Sequence, residues 1–389
     1  MDREDGPYMK VCMITPTFFP RRGGAEVGIY ELSRRLLELA HEVTVITPEF
    51  DHMKDRENID GIEVYRFPSL LKFPASIPQN VIHFYVLLKR IKPDVVNMHY
   101  MLPTGIGAAI VCKTLHTPAV LSVIGQDIYD PIHPTRRIYY PFMKWIMSNV
   151  KRITCISSFV MQRAIELGAP PSRTEVVPFG VDVDMFNPQI SGKCIREKYG
   201  LADEPIVLAV QRLSPRKAVE YLIQAVPHVL EKVPETTFLI VDGGQRLRRL
   251  KDLAEELKVK DRIVFVGSAP RSALPKYYAA ADIFVLHSRF EALGLVLLEA
   301  MSSGKPVVTT RVGGTTDIVE PGKTGFLVEP KNPIELARAI TTLLKNKQLR
   351  NKMGDEARKK VTKYFSWESV THKMLKIYKE TTSEARLLS

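Results

Sequence analysis

An α/β chain of two domains, each built on its own parallel sheet, is what the sequence predicts, and three observations predict it. Short β-branched runs alternate with longer amphipathic segments, the pattern of parallel strands joined by crossover helices. The alternation pauses once, over 183–205, where polar, Gly and Pro residues interrupt it. The chain's 389 residues exceed one ordinary core and suit two, with a cleft between them. The pause places 1–190 in a first domain and the residues from 191 in a second.

In order along the first domain, "KVCMITPTF", "HEVTVITP", "KPDVVNMHY", "PAVLSVIG", "KRITCISS" and "TEVVPFGVD" read as strands. Asp60-Gly61, between alternating residues of "IDGIEVYRFP", reads as a tight hairpin turn. The second domain's strands are "PIVLAVQRLS", "TTFLIVDGG", "DRIVFVGS", "ADIFVLHS", "GKPVVTTRVGG" and "TGFLVEP". The final stretch, "SWESVTHKMLKIYKETTSEARLL", has helical spacing and no strand of its own to cover. In open sheets of this type ligands lie at the carboxyl ends of the strands, so the loops that follow each run are where chemistry is sought.

Apolar residues make up 45% and charged residues 25% of the chain, a globular composition, and no run reaches the ~18 apolar residues of a membrane span. "MDREDGPYMKVCMITPTFFP" lacks the basic start and cleavage site of a signal peptide, so a cytoplasmic location is expected. Cys12, Cys112, Cys155 and Cys194 are scattered, with no C-x-x-C spacing, and read as small hydrophobes. Residues 1–190 carry 21 Lys and Arg against 20 Asp and Glu, whereas 191–389 carry 34 against 23. A basic second half fits an anionic ligand or surface, and charge alone does not choose which.

The stretch "SRFEALGLVLLEAMSSG" carries two carboxylates, Glu291 and Glu299, eight residues apart. Helical periodicity from about Ala292 places Glu291 in a strand-to-helix turn and Glu299 inside the helix. Amides at the helix start, around Leu293, Gly294 and Leu295, can cradle phosphate oxygens, and Gly294 allows close approach. Each carboxylate can accept hydrogen bonds from a polyol. Taken alone, the pair equally fits a dipole-favourable charge and a solvated helix residue. In "LAVQRLSPRKAVEY", Arg212 and Lys217 occupy the loop after another strand and are placed to neutralise a diphosphate, although singly they read as ordinary loop charges. Gly23-Gly24 follows the first strand without a G-x-G-x-x-G spacing, and there is no G-x-x-x-x-G-K-[ST], G-x-S-x-G, H-E-x-x-H or paired Cys/His spacing.

With "GGAE" at 23–26, "GVDVDMFNP" at 180–188, "RLSPRK" at 212–217, the E-x7-E segment at 290–300 and "GKPVVTTRVGGTTDIV" at 304–319, the chain resembles the retaining glycosyltransferases of family 4 along nearly its whole length. The resemblance implies the GT-B fold, two Rossmann-like domains facing a central cleft, with the donor domain at 191–365 and a closing helix, 366–389, that rejoins 1–190. It implies that Arg212 and Lys217 hold the donor pyrophosphate, Glu299 the ribose and Glu291 the transferred sugar. Amides at Leu293, Gly294 and Leu295 would hold phosphate or sugar oxygens, Gly23 and Gly24 would lie against the phosphates, and Gly267 would be in the backbone that reads the base. One departure matters: "VLSVIGQDIY" has Ile124 where the family commonly has His, with Gly125 and Asp127 kept. His99 or Asp127 is then the acceptor- or sugar-side candidate for the missing polar contact. His287 stands where Pro is common before Ser288, and reads as a strand-end core residue.

The expected activity is transfer of a hexose from a nucleoside-diphosphate sugar, UDP-sugar before GDP-mannose, to a glycan, lipid or small-molecule hydroxyl, with retention and with neither metal nor cofactor. A GT-B epimerase and a non-catalytic nucleotide-sugar-binding protein are the alternatives. Nucleic acid is not expected, because "LRRLKDLAEELKVKDRI" and "KNKQLRNKMGDEARKK" interleave both charge signs as solvated helix faces do. "RRIYYPFMKWIMSNVKR" leaves two readings, a core-packed helix and one in peripheral contact with an anionic membrane.

Overall fold

The protein, seen in a computed structural model, is described over residues 8–21, 23–49, 53–68, 73–125, 128 and 139–386. It divides into two compact units, Met1–Phe179 with Trp367–Ser389, and Gly180–Ser366.

In the first unit the elements are β1 (Lys10–Ile14), α1 (Gly24–Glu38), β2 (Glu42–Pro48), β3 (Arg56–Ile59), β4 (Ile62–Phe67), α2 (Ile77–Ile91), β5 (Val95–His99), α3 (Gly105–Thr114), β6 (Ala119–Val123), α4 (Tyr140–Asn149), β7 (Arg152–Cys155), α5 (Ser158–Glu166) and β8 (Thr174–Val176). The eight strands lie in the order β3-β4-β2-β1-β5-β6-β7-β8. All neighbours are parallel except β3 and β4, the hairpin expected at Asp60-Gly61, where both turn residues take positive φ. Most strands are buried along nearly their whole length because helices cover both faces of a parallel sheet.

The second unit contains α6 (Lys193–Lys198), β9 (Ile206–Val210), α7 (Val219–Leu230), β10 (Thr237–Val241), α8 (Leu247–Glu256), β11 (Ile263–Gly267), α9 (Leu274–Ala280), β12 (Ile283–Leu286), α10 (Leu295–Ser302), β13 (Val307–Thr310), α11 (Thr315–Ile318), β14 (Gly325–Val328), α12 (Pro333–Lys345) and α13 (Lys347–Tyr364). Its parallel sheet runs β11-β10-β9-β12-β13-β14. Every strand read from the sequence is present. The last helix, α14 (Trp367–Arg386), packs in the first unit against α1, β5 and β6, and its Tyr378 hydroxyl accepts from Asn97 Nδ2 at 2.7 Å.

The break between units falls at 179/180, eleven residues before the expected 190/191. The polar pause hides an anchor. Val181 N donates to Phe365 O, Ser302 Oγ donates to Phe186 O at 2.6 Å, and Arg358 Nη1 donates to the carbonyls of Val183 and Phe186. The Phe186 ring is fully buried, edge-on to Tyr278 at 5.6 Å. One aromatic among polar neighbours carries no periodicity, so only packing reveals to which unit the segment belongs.

Phe186→Ala is expected to cost about 3–5 kcal/mol. Urea unfolding should show that loss in the transition of Gly180–Ser366, while protease fragments of the first unit keep their stability.

Candidate active site

In each sheet the strand order reverses at one point, between β1 and β5 in the first unit and between β9 and β12 in the second. Loops leaving the carboxyl ends of such neighbours run in opposite directions and open a crevice. In the second unit those loops carry Arg212 and Lys217, after β9, and Glu291, after β12.

Lys217 and Glu291 meet there as an ion pair through Nζ and Oε1, with little of either side chain exposed. Ser288 Oγ donates to the same carboxylate oxygen at 2.6 Å. Behind the carboxylate the backbone is clamped: Gly314 N donates to Glu291 O at 3.0 Å. Gly313 takes φ +51, and a Cβ placed on it would overlap the Glu291 carbonyl oxygen. Thr310 Oγ1 donates to Ser288 O at 2.6 Å. Glu291 is thus only 8% exposed, held by one side-chain cation, one hydroxyl and the β13–α11 loop.

His287, the last residue before this turn, is buried and staples the β9 loop at both ends. Its Nδ1 donates to Lys217 O at 3.0 Å, which leaves Nε2 to accept from Gln211 Nε2 at 2.8 Å. Burial pushes its pKa down to about 4, so the ring is neutral at ordinary pH. The sequence reading of a core histidine holds, with an added consequence: this ring positions the backbone that carries the Lys217 cation.

The helix after Glu291 begins at Leu295, three residues later than the expected Ala292. Gly294, at φ +103, breaks the chain direction first, as only glycine does readily. No side chain caps the N-terminus of α10, and Leu293 is buried beneath the turn. Glu299 sits in the helix interior at 4% exposure, so the reading of a solvated helix residue is overturned. Arg271 Nη1 donates to its Oε1 at 2.9 Å and Tyr278 OH to its Oε2 at 2.8 Å. Burial raises the Glu299 carboxyl above its ordinary value, while Arg271 and Tyr278 pull it back. Each oxygen keeps a further lone pair for a ligand hydroxyl.

Arg212 lies exposed at the start of the β9 loop and is not in the Lys217–Glu291 pair. Gly267 ends β11 at φ +78 with open space where a Cβ would stand. In the first unit, Gly23 is the N-cap of α1 and Gly24 its first residue. His99 ends β5, buried, and neither ring nitrogen has a partner among the described residues. Burial holds its pKa at about 3. It lines one small cavity with Ser122, Thr154, Ile124 and Trp367. Gly125 follows at φ +104, and Asp127 lies outside the described residues.

Sequence reasoning missed Arg271, Tyr278, Ser288, Gln211 and Gly313. Ser288-x-x-Glu291 has the capping-box spacing, a legible signal, although here the hydroxyl binds the carboxylate directly. The others have no signal, because they come from separate segments, Arg271 and Tyr278 before and within α9, Gln211 after β9 and Gly313 after β13.

A family model described as Glycosyltransferase Family 4 matches residues 22–185, and one described as Glycosyl transferases group 1 matches 193–360. The GDP-mannose-dependent alpha-(1-6)-phosphatidylinositol monomannoside mannosyltransferase of Mycobacterium tuberculosis is 29% identical, over 94% of this chain and 97% of that protein. One subunit of the phosphatidylinositol N-acetylglucosaminyltransferase of Arabidopsis thaliana is 27% identical, over 96% of this chain and 82% of that protein. Among solved structures, a glycosyltransferase from Rickettsia africae aligns with TM-score 0.82 at 24% identity, covering 96% of this chain and 98% of that one. HepE of Anabaena, solved with UDP and glucose, aligns with TM-score 0.79 at 21% identity, covering 96% and 100%. These likenesses bear on the fold, which is GT-B.

A His whose folded pKa is depressed binds fewer protons folded than unfolded between the two values. Its contribution to stability is therefore whole above about pH 6.5 and is lost as pH falls toward about 4. Wild type should lose roughly 2 kcal/mol more than His287→Gln between pH 7 and pH 5. Denaturant titrations at the two pH values check this, and equal losses in both proteins would remove the neutral staple.

Proposed function

Because the chain belongs to glycosyltransferase family 4 and is a nucleotide-sugar glycosyltransferase, we propose that it moves mannose from GDP-mannose to a hydroxyl of a glycolipid, with retention and without metal. The observation that carries this reading is the cluster at the β9/β12 switch point: Glu291 held by Lys217 and Ser288, four residues ahead of an uncapped helix N-terminus.

In this reading the diphosphate lies along the start of α10. Helix amides, Lys217 and Arg212 supply the positive potential that a divalent ion provides in other enzymes. Glu299, oriented by Arg271 and Tyr278, receives the ribose hydroxyls. Glu291 grips the transferred hexose, and the Lys217 ammonium is shared between that carboxylate and the leaving group. As the bond from the anomeric carbon to the phosphate oxygen breaks, the acceptor oxygen bonds to the same face of that carbon and its proton passes to the departing phosphate. Charge then develops where the cations already stand, so little reorganisation is needed.

Two considerations support this donor and acceptor. The mycobacterial relative is named for GDP-mannose, which moves the donor from the UDP-hexose expected on sequence to GDP-mannose. It and the Arabidopsis relative are both named for phosphatidylinositol compounds, which supports a lipid-borne polyol as acceptor. His99, neutral and with two ring nitrogens unpartnered among the described residues, supplies one donor and one acceptor beside Ile124 and stands in for the polar group absent there.

The test combines calorimetry and kinetics. GDP should bind wild type more tightly than UDP, and Glu299→Gln should weaken that binding about tenfold. Glu291→Ala should lower kcat about a hundredfold or more, with GDP affinity nearly kept, because its contact is to the reacting sugar. Turnover by Glu291→Ala at the parental rate would end the assignment of that residue, and tighter UDP binding would restore the UDP-hexose reading.

A further inference from the structure

The first unit is near neutral as a whole, but its charge is segregated. Residues 68–152 hold ten Lys and Arg against three Asp and Glu, whereas the rest of 1–179 holds 11 against 15. Within the basic stretch, α2, α3 and α4 contain no acidic residue at all. The connections β4–α2–β5, β5–α3–β6 and β6–α4–β7 all cross the sheet in one direction, so right-handed crossovers place the three helices on one face. They pack side by side, α3 against both α2 and α4, while α1 and α14 pack together elsewhere.

That layer is apolar outside as well as inside. On α2, Ile82 is 64% and Val86 59% exposed, with Tyr85 between them and Lys89 one turn further along the same stripe. On α4, Met143, Ile146 and Met147 face the core while Phe142 and Trp145 are exposed beside Lys144. Of the eight large hydrophobic side chains that stand exposed among the described residues, five are on these two helices. The helices are joined at one end by Phe73, whose ring lies 4.8 Å from Tyr139 and 6.4 Å from Phe142. The ammonium of Lys89 lies 5.3 Å from the Tyr85 ring centre and that of Lys113 5.8 Å from the Trp145 ring centre.

We propose that the exposed stripe of α2 and α4 is a docking surface for an anionic lipid bilayer, with Ile82, Val86, Phe142 and Trp145 entering the headgroup boundary and Lys89, Lys113 and Lys144 pairing with lipid phosphates. One feature chooses a bilayer over other occupants. Aliphatic and aromatic side chains ringed by lysines, with no acid on α2, α3 or α4, match a surface that is apolar within and negative outside. No helix of the described chain is long and apolar enough to cross a membrane, so attachment through this face is peripheral. The surface deepens the glycolipid reading but is measured independently of it.

Full-length protein is sedimented with vesicles of phosphatidylglycerol and phosphatidylcholine, and with phosphatidylcholine alone, without donor or acceptor. The wild type should pellet with the anionic vesicles and be released by salt. Ile82→Gln/Val86→Gln/Phe142→Gln/Trp145→Gln and Lys89→Gln/Lys113→Gln/Lys144→Gln should each lose about tenfold or more in vesicle affinity. All seven positions are exposed, and an unchanged circular dichroism spectrum and thermal unfolding midpoint will report that the variants are folded. Failure of the wild type to pellet, equal binding to neutral vesicles, or wild-type binding by both variants would overturn the proposal. Loss of concentration-dependent self-association in the apolar variant, without vesicle binding by the wild type, would assign the face to a second copy of this chain. Vesicle binding without transfer to any glycolipid would leave this surface standing and sink the acceptor reading instead.

Discussion

Lys217 and Glu291 form the interaction around which the rest of the site is arranged. A carboxylate and an ammonium mostly removed from water are each costly alone, so each is kept by the other and by further hydrogen bonds. The partners come from loops 74 residues apart, after two neighbouring strands at the point where the sheet order reverses. Any movement of either loop separates the charges. That accounts for the supports: Ser288 on the carboxylate, Gly313 and Gly314 on its backbone, and His287 with Gln211 on the backbone of the lysine loop.

Glu299 solves the same problem differently. It lies inside α10, where the helix supplies no cation, and its charge is matched by Arg271 and the Tyr278 hydroxyl from the neighbouring segment. Arg271 also lies over the Phe186 ring, and Phe186 packs on Tyr278. The start of the second unit is therefore continuous with the support of its second carboxylate. Two glutamates eight residues apart in one apolar run thus have distinct electrostatic settings, one open to exchange partners at a loop and one fixed in the helix.

The first unit places its own candidates by the same rule. Gly23 and Gly24 follow β1, and His99 ends β5, on the two sides of that sheet's reversal. His99 is a buried neutral imidazole without partners among the described residues, and that is an expensive arrangement unless a ligand or solvent completes it. The helices on one face of the same sheet concentrate positive charge and exposed aromatic surface, which composition summed over the unit conceals.

Period and punctuation were local properties and were legible without coordinates. Alternating short apolar runs gave the parallel strands outside the hairpin, Asp60-Gly61 gave the hairpin itself, and the spacing of Glu291 and Glu299 in "FEALGLVLLEA" marked a candidate site segment. Tertiary structure decided whatever depends on residues distant in the chain: which cation meets which carboxylate, why Phe186 draws 180–190 into the second unit, and that α10 waits for Gly294 before it begins. It also decided that Glu299 is buried, since a helix residue's burial is set by what packs on it and not by its neighbours in sequence. The physical reason is range: backbone preference acts over a few residues, whereas charge pairing and packing act through space, where the fold alone determines who is near.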